Sequence, residues 1–247
     1  MPILEELREW GEAISALFWP PKCPACRAAV SRHGEWCASC LMRAVAPRQI
    51  APLERRLAFL DSCLVLCPYA GDVRKILHGL KFRRRKKDAV YLEWLLERGT
   101  AGAAAFSATD GAGVRHAPAA WAAGGETAFP EAAAVAVPVP LHSRRLAERG
   151  FNQTEVIFRG WAARRGMAFA DALSRIIPTA PQWELNLKAR RQNIKGAFLA
   201  TRPEAVRGKR VLLLDDIFTT GATMDECAAV LKAAGAIRVD GLALAGG

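Results

Sequence analysis

The residues best suited to chemistry are Val211-Leu212-Leu213-Leu214-Asp215-Asp216-Ile217-Phe218-Thr219-Thr220-Gly221-Ala222-Thr223. Four consecutive apolar residues suit a strand buried on both faces, as in a parallel sheet. Acids at the carboxyl end of such a strand lie where open α/β sheets bind their ligands. Met224 to Ala234 follows with helical periodicity, and Ala228, Val230, Leu231 and Ala234 are available for one face. The turn between them therefore sits at a helix N-terminus, where free N–H groups and the positive dipole end attract phosphate. Thr219, Thr220 and Thr223 add hydroxyl donors along a cradle completed by Gly221 and Ala222, and Gly221 lets the backbone approach an anion. Carboxylates for sugar hydroxyls beside a phosphate cradle point to a ribose-phosphate. The competing reading is an ordinary strand–turn–helix capped by a threonine.

A second cluster lies near the start of the chain. Cys23-Pro24-Ala25-Cys26 and Cys37-Ala38-Ser39-Cys40 are two CxxC units separated by ten residues. Four thiolates delivered in this way close a tetrahedral site around one zinc at about 2.3 Å, which makes the site structural. Its binding energy folds a segment too small to own a core. Rubredoxin-like iron is the alternative metal, and a thioredoxin-like redox pair is disfavoured because two units occur together outside a βαβ pattern. His33 is surplus to a complete four-sulfur set. Cys63, Cys67 and Cys227 lack such spacing and read as buried apolar thiols.

The elements that must position these groups follow from periodicity. Residues 3–18 carry Ile3, Leu4, Leu7, Trp10, Ile14 and Leu17 at helical spacing, and Pro20 and Pro21 end the helix before the first CxxC. Its polar face holds Glu5, Glu6, Glu9 and Glu12, which argues against an anionic membrane surface. Leu64-Val65-Leu66 reads as a strand, and Val73, Ile76, Leu77 and Leu80 as a helix. Lys81-Phe82-Arg83-Arg84-Arg85-Lys86-Lys87 sets six cations around one aromatic before a second helix at 88–98. This run is either a solvated turn or a phosphate-backbone site.

Residues 101–130 contain twelve Ala and five Gly and read as a flexible insertion. A strand at 133–140 finishes in prolines, a helix follows over 153–165, and Ile237 to Leu244 supplies a last strand. The alternation predicts an α/β fold with right-handed crossovers and a parallel sheet. The expected organisation is an amphipathic helix at 1–20, a four-cysteine zinc module at 21–50, and a main domain at 62–247 containing the insertion at 100–130.

The formal charge is +11, from 35 Lys and Arg against 24 Asp and Glu, which favours polyanionic partners. Seven cysteines without a secretory n-region and h-region argue against a disulfide framework. No apolar run approaches the roughly 20 residues of a membrane helix. Cytoplasmic residence is the expectation.

The acid pair and its turn resemble the signature of type I phosphoribosyltransferases. That resemblance implies that Asp215 and Asp216 hold the ribose 2′- and 3′-hydroxyls of phosphoribosyl pyrophosphate (PRPP) and act in catalysis if there is turnover. Thr219, Thr220, Gly221, Ala222 and Thr223 would hold the 5′-phosphate. The wider set of landmarks resembles the ComF family of competence-associated proteins. It comprises the four-cysteine knuckles, His78-Gly79-Leu80-Lys81-Phe82, Val137-Pro138-Val139-Pro140-Leu141, Arg149-Gly150-Phe151-Asn152-Gln153 and the stretch from Gln182 to Phe198 before the acid pair.

The insertion is longer than the family pattern, and no extra strand follows the last one. Arg144, Arg145 and Arg149 resemble the pyrophosphate-side loop, and Mg²⁺ would bridge pyrophosphate oxygens. Arg190 and Asn193 could belong to a lid that excludes water; each of these arginines could instead be a surface charge. The resemblance implies handling of incoming single-stranded DNA in natural transformation, with helicase or DNA-uptake proteins as partners.

Two classes of function remain: an enzyme transferring phosphoribose to an unknown acceptor, and a DNA-handling protein whose pocket senses PRPP or a nucleotide while its zinc module and basic surface bind single strands. In the second, Lys81, Arg83, Arg84, Arg85, Lys86 and Lys87 contact the strand. Phe82, Trp36 and Phe151 are then either stacking platforms or core residues.

Overall fold

The computed structural model describes residues 20–105, 134–178 and 194–247. The N-terminal helix expected at 3–18, most of the Ala/Gly-rich insertion, Gln182, Arg190 and Asn193 lie outside the described residues.

Strands β1 (Arg48–Ile50), β2 (Ser62–Pro68), β3 (Ala134–Pro138), β4 (Ala168–Phe169), β7 (Arg210–Phe218) and β8 (Arg238–Gly246) form one sheet in the order β1-β2-β8-β7-β3-β4. Every pairing is parallel except β1 with β2. The short strands β5 (Leu173–Arg175) and β6 (Phe198–Ala200) pair separately and antiparallel. The fold is thus α/β with a mostly parallel six-stranded sheet. Its central strands read as continuous apolar runs because helices cover both faces.

The two faces follow the alternation of the strands. Leu64, Leu66, Leu212, Leu214, Leu242 and Leu244 point one way. There they meet α2 (Gly71–Phe82), α3 (Ala89–Ala105) and α5 (Gln153–Arg164) through Leu77, Leu80, Leu92, Leu95, Phe158 and Trp161. Cys63, Val65, Val211, Leu213 and Val239 point the other way, onto Cys227, Ala228 and Leu231 of α7 (Ala222–Ala233). The short α6 (Pro203–Val206) leads into β7 and buries Val206 on the same side. Helix α3 runs past the expected end at 98, because alanine, the best helix former, continues it into the start of the predicted insertion.

Two further differences concern boundaries. Residues 48–50, expected within the four-cysteine module, form β1 at the edge of the main sheet. The module also shares the main core: Cys23, Trp36, Cys40 and Ala44 pack in the same cluster as Leu66 and Leu92. The Trp36 indole N–H donates to the Tyr91 carbonyl at 2.9 Å, tying the module to α3. Trp36 is therefore a core residue rather than a stacking platform.

What positions the site is the crossover pattern. β3 and β7 are neighbours, but the strand after β3 pairs on its far side, and the strand after β7 pairs on the opposite side. The chain leaves the two strands in opposite directions, and the crevice outside their carboxyl ends is where such sheets bind ligands.

Candidate functional site

β7 does not stop at its acids. It continues through Asp215 and Asp216 to Phe218, held along its length by β8, with Asp215 opposite Ala243 and Phe218 opposite Gly246. β3 ends earlier, at Pro138 opposite Leu214, with one last bond from Val139 N–H to the Leu214 carbonyl at 2.8 Å. The acids therefore lie on β7 just past the point where its neighbour β3 ends, and both are buried.

Adjacent strand residues face opposite sides of a sheet. Asp216 accordingly meets Lys81 from the last turn of α2, Nζ to Oδ2 at 2.8 Å, with side chains 17% and 4% exposed. Asp215 lies toward the α7 side, where its charge is felt by Cys63, Cys227 and Arg175. Burial first, and the neighbouring Asp216 second, push the Asp215 carboxyl up to about 8, against the pull of Lys81. The Asp216 amide also donates to Asp215 Oδ1 at 2.8 Å.

The turn that follows is built for backbone presentation. Gly221 is the N-cap of α7 at φ +81°, so the cap is not a threonine. A Cβ at Gly221 would come within 2.7 Å of both Leu57 Cδ1 and Phe218 Cζ. Thr219 is exposed, Thr220 and Ala222 are buried, and the Thr220 hydroxyl receives a long bond, 3.4 Å, from the Ala222 amide. Asp225, the acid of the first helical turn, is directed elsewhere: its carboxylate accepts from the amides of Ala58, Phe59 and Leu60 at 2.8–3.1 Å. Gly221→Ala should therefore cost about 1–3 kcal/mol, and equilibrium denaturation in urea will measure it.

The arginine loop forms the other wall. Helix α4 (Ser143–Arg149) is capped by His142 Nδ1, which accepts from the Arg144 amide at 3.2 Å, and it ends on Gly150 at φ +85°. Asn152 then caps α5, accepting from Thr154 N–H, and its Nδ2 donates to the Val139 carbonyl at 3.1 Å. The Gly150-Phe151-Asn152 run thus holds the loop against the end of β3.

Within this loop the three arginines part company. Arg149 is half-buried, bonded to Gln153 Oε1, and feels the charge of Asp216. Arg145 is near enough to Arg149 and Arg175 to disfavour their charge. Arg144 pairs with Glu148 at 3.1 Å on an exposed face. Arg175, on β5, adds a cation without a sequence signature, since a three-residue strand carries no periodic signal. Its guanidinium lies 5.6 Å over the Phe198 ring, and burial lowers its pKa.

The cationic run divides in the same way. Lys81 turns inward to Asp216, whereas residues 82–87 are exposed. Arg85 pairs with Asp88 at 2.8 Å, Arg84 donates to the Glu148 carbonyl, and Lys86 lies 6.0 Å from the Phe151 ring centroid. Phe82 is 63% exposed, with its ring 4.5 Å from that of His78. Lys81, which in sequence belongs to the cationic run, turns inward because it stands four residues after Leu77 on the apolar side of its helix.

The four module cysteines form the second site. Their sulfurs all lie within 4.8 Å of one another, and such a group could hold a metal ion. Arg27 at φ +68° makes the first knuckle, with Cys23 N–H bonded to the Ala28 carbonyl and Arg27 N–H to the Cys23 carbonyl. Cys37 caps the short helix α1 (Ala38–Ala44), which carries Cys40. The Ser39 hydroxyl draws the Cys37 thiol down to about 6, and burial drives Cys40 up to about 12. His33 packs edge-on against Tyr91 and is not part of the cluster. Cys63, Cys67 and Cys227 are buried single thiols whose pKa burial raises.

No helix among the described residues is long and apolar enough to cross a membrane. A family model described as the phosphoribosyl transferase domain matches residues 143–245, from the arginine helix to the last strand. The chain is similar to the DNA utilization protein YhgH of Salmonella typhimurium, at 29% identity over 226 residues, spanning 88% of this chain and 86% of that protein. It is also similar to Competence protein F of Haemophilus influenzae, at 36% over 113 residues, 44% of this chain and 49% of that protein. Competence protein ComFC of Bacillus subtilis matches at 28% over 101 residues, 39% of this chain and 37% of that protein. A phosphoribosyltransferase-like sheet following a four-cysteine cluster, together with these relatives, supports a ComF-like protein built on a phosphoribosyltransferase-type domain.

Proposed function

We propose that this protein binds PRPP or a related ribose-phosphate with Mg²⁺ and takes part in handling single-stranded DNA that enters the cell. The observation that carries the reading is the buried acid pair at the mouth of the β3–β7 crevice, beside a glycine-capped helix N-terminus. Asp215 and Asp216 accept from the ribose hydroxyls. The Thr219–Thr223 turn receives the 5′-phosphate through amides and hydroxyls. Arg149 and Arg145 face the pyrophosphate, with Arg144 further out. Mg²⁺ supplies charge neutralisation on the pyrophosphate, a role suited to a hard cation that keeps few protein ligands. Zinc is the ion best matched to four thiolates in two knuckles. The relatives' names, DNA utilization and competence, support the DNA role. Arg83, Arg84, Arg85, Lys86 and Lys87 supply the phosphate contacts, with Phe82 as an exposed aromatic among them.

The second reading keeps the same pocket and adds turnover. The C1–pyrophosphate bond breaks, the pyrophosphate leaves with its electron pair, and an acceptor, a nucleobase or another nucleophile, gives its lone pair to C1 and releases its proton to solvent. Preorganised carboxylates beside the ribose would stabilise the developing positive charge.

Calorimetry with PRPP and Mg²⁺ tests the pocket: saturable binding is expected for the protein and its loss in Asp216→Asn, whereas no heat at any concentration ends the reading. Pyrophosphate release with any nucleobase would establish the enzyme; binding without release with any base favours a sensing role. DNA affinity should fall steeply between low and high salt, because phosphate contacts release counterions. A flat response removes the nucleic-acid role.

A further inference from the structure

We infer that Lys81 belongs to the ribose-phosphate pocket, as the built-in counter-ion that pairs with Asp216 and aims it at the ligand, and not to the cationic surface that it adjoins in sequence. The inference rests on the pocket reading above and deepens it. Three observations carry it. The ammonium lies 2.8 Å from Asp216 Oδ2, and both side chains are largely withdrawn from solvent. The neighbours of Lys81 in sequence, Phe82 to Lys87, are all exposed, so the run changes character at this residue. Lys81 also sits on the apolar side of α2, one turn beyond the fully buried Leu77, which fixes its direction toward the sheet.

Two carboxylates side by side in a buried strand cannot both remain charged without compensation. Around them stand Lys81 from α2, Arg149 from α4, Arg175 from β5, Cys63 from β2 and Cys227 from α7. The two thiols are buried and neutral, so the compensation comes from the three cations. Lys81 is the one placed directly on Asp216, as an ion pair on the α2 side of the sheet. The two arginines have other attachments as well, Arg149 to Gln153 and Arg175 over Phe198. Lys81 also pulls the Asp215 carboxyl down against its burial, so removing the ammonium leaves Asp215 holding its proton more tightly, and a ligand that needs it ionised then binds only at higher pH.

Lys81→Met and Lys81→Arg test this against wild type, with PRPP and Mg²⁺ titrated calorimetrically from pH 6 to 9. Lys81→Met is expected to lose at least about tenfold in affinity at pH 7 and to regain part of it as pH rises. Lys81→Arg, which keeps the charge, should retain the wild-type profile. A purely structural role would not move the pH midpoint. Binding of a single-stranded oligonucleotide across a salt series gives the second readout. Lys81→Met should keep the wild-type salt slope, and Lys87→Ala should lower it.

An unshifted Lys81→Met profile overturns the inference, as does a folded Lys81→Arg that loses the wild-type profile. A Lys81→Met salt slope lowered like that of Lys87→Ala returns Lys81 to the surface. Wild type that takes up no PRPP at any pH overturns the pocket reading itself and this inference with it. Wild-type binding with an unshifted variant sinks the inference alone.

Discussion

Stripping the metal proposed for the four-cysteine cluster is expected to destabilise the whole protein, not the module alone. The module owns no core of its own. Cys23 and Cys40 are buried in the same apolar cluster as Leu66 and Leu92, and Trp36 is bonded to the backbone of α3. Structural zinc in small knuckles contributes about 10–16 kcal/mol of apparent binding energy near neutral pH. A loss of only about 4 kcal/mol from a domain of this size lowers Tm by roughly 10 °C. A strong chelator should therefore lower the melting temperature by about that much or more, and Cys23→Ser should do the same while releasing the metal. Elemental analysis should find one zinc per chain. An unchanged calorimetric transition after chelation, or protein free of metal as purified, would refute the proposal.

A second large effect follows from Asp215, and it has opposite signs for stability and for binding. The carboxyl is raised from 3.8 to about 8 in the folded chain, chiefly by burial. Folding therefore favours the protonated form. The stability associated with that proton is fully present below pH 4 and is lost progressively as pH rises toward 8. Asp215→Asn removes the penalty, so it should match wild type near pH 4 and exceed it by about 2–4 kcal/mol at pH 8, or roughly 5–15 °C in Tm. In the proposed PRPP pocket the same change also removes one carboxylate oxygen facing a ribose hydroxyl and should lower PRPP affinity by at least about tenfold. Ligand binding near pH 7 should also expel a proton, seen as a binding heat that varies with the ionisation enthalpy of the buffer. An Asp215→Asn protein less stable than wild type at pH 8 would contradict the assignment of the burial cost.

The parts of this molecule that are readable in its sequence are those with strong local signals. The apolar run before Asp215, the periodic faces of α2 and α5, and the paired CxxC units each depend on residues close together in the chain. The α/β class and the acid–turn–helix arrangement are legible for that reason. Strands β1, β4, β5 and β6, of two or three residues each, are not, because so short a segment shows no period and forms only where a neighbour supplies its bonds. Arg175 is invisible on the same grounds. The end of β7 escapes a local reading because charge looks like a stop signal, whereas pairing with β8 carries the strand two residues past the acids. Lys81 reads as one of a charged run, although its spacing from Leu77 already places it on the inner face. The contact in which Arg84 reaches the Glu148 carbonyl joins segments 64 residues apart and leaves no local trace.

The early stop of β3 beside the longer β7 has a thermodynamic consequence. Asp215 and Asp216 are anchored by a strand whose backbone is locked to β8, so that backbone has little conformational freedom left to surrender when a ligand arrives. If they hold the ligand as proposed, their share of the recognition is nearly free of ordering entropy, and affinity at this end of the pocket is limited by desolvation. In the proposed pocket, discrimination among ligands would then come from the Thr219–Thr223 turn and the arginine helix, which stand outside the sheet.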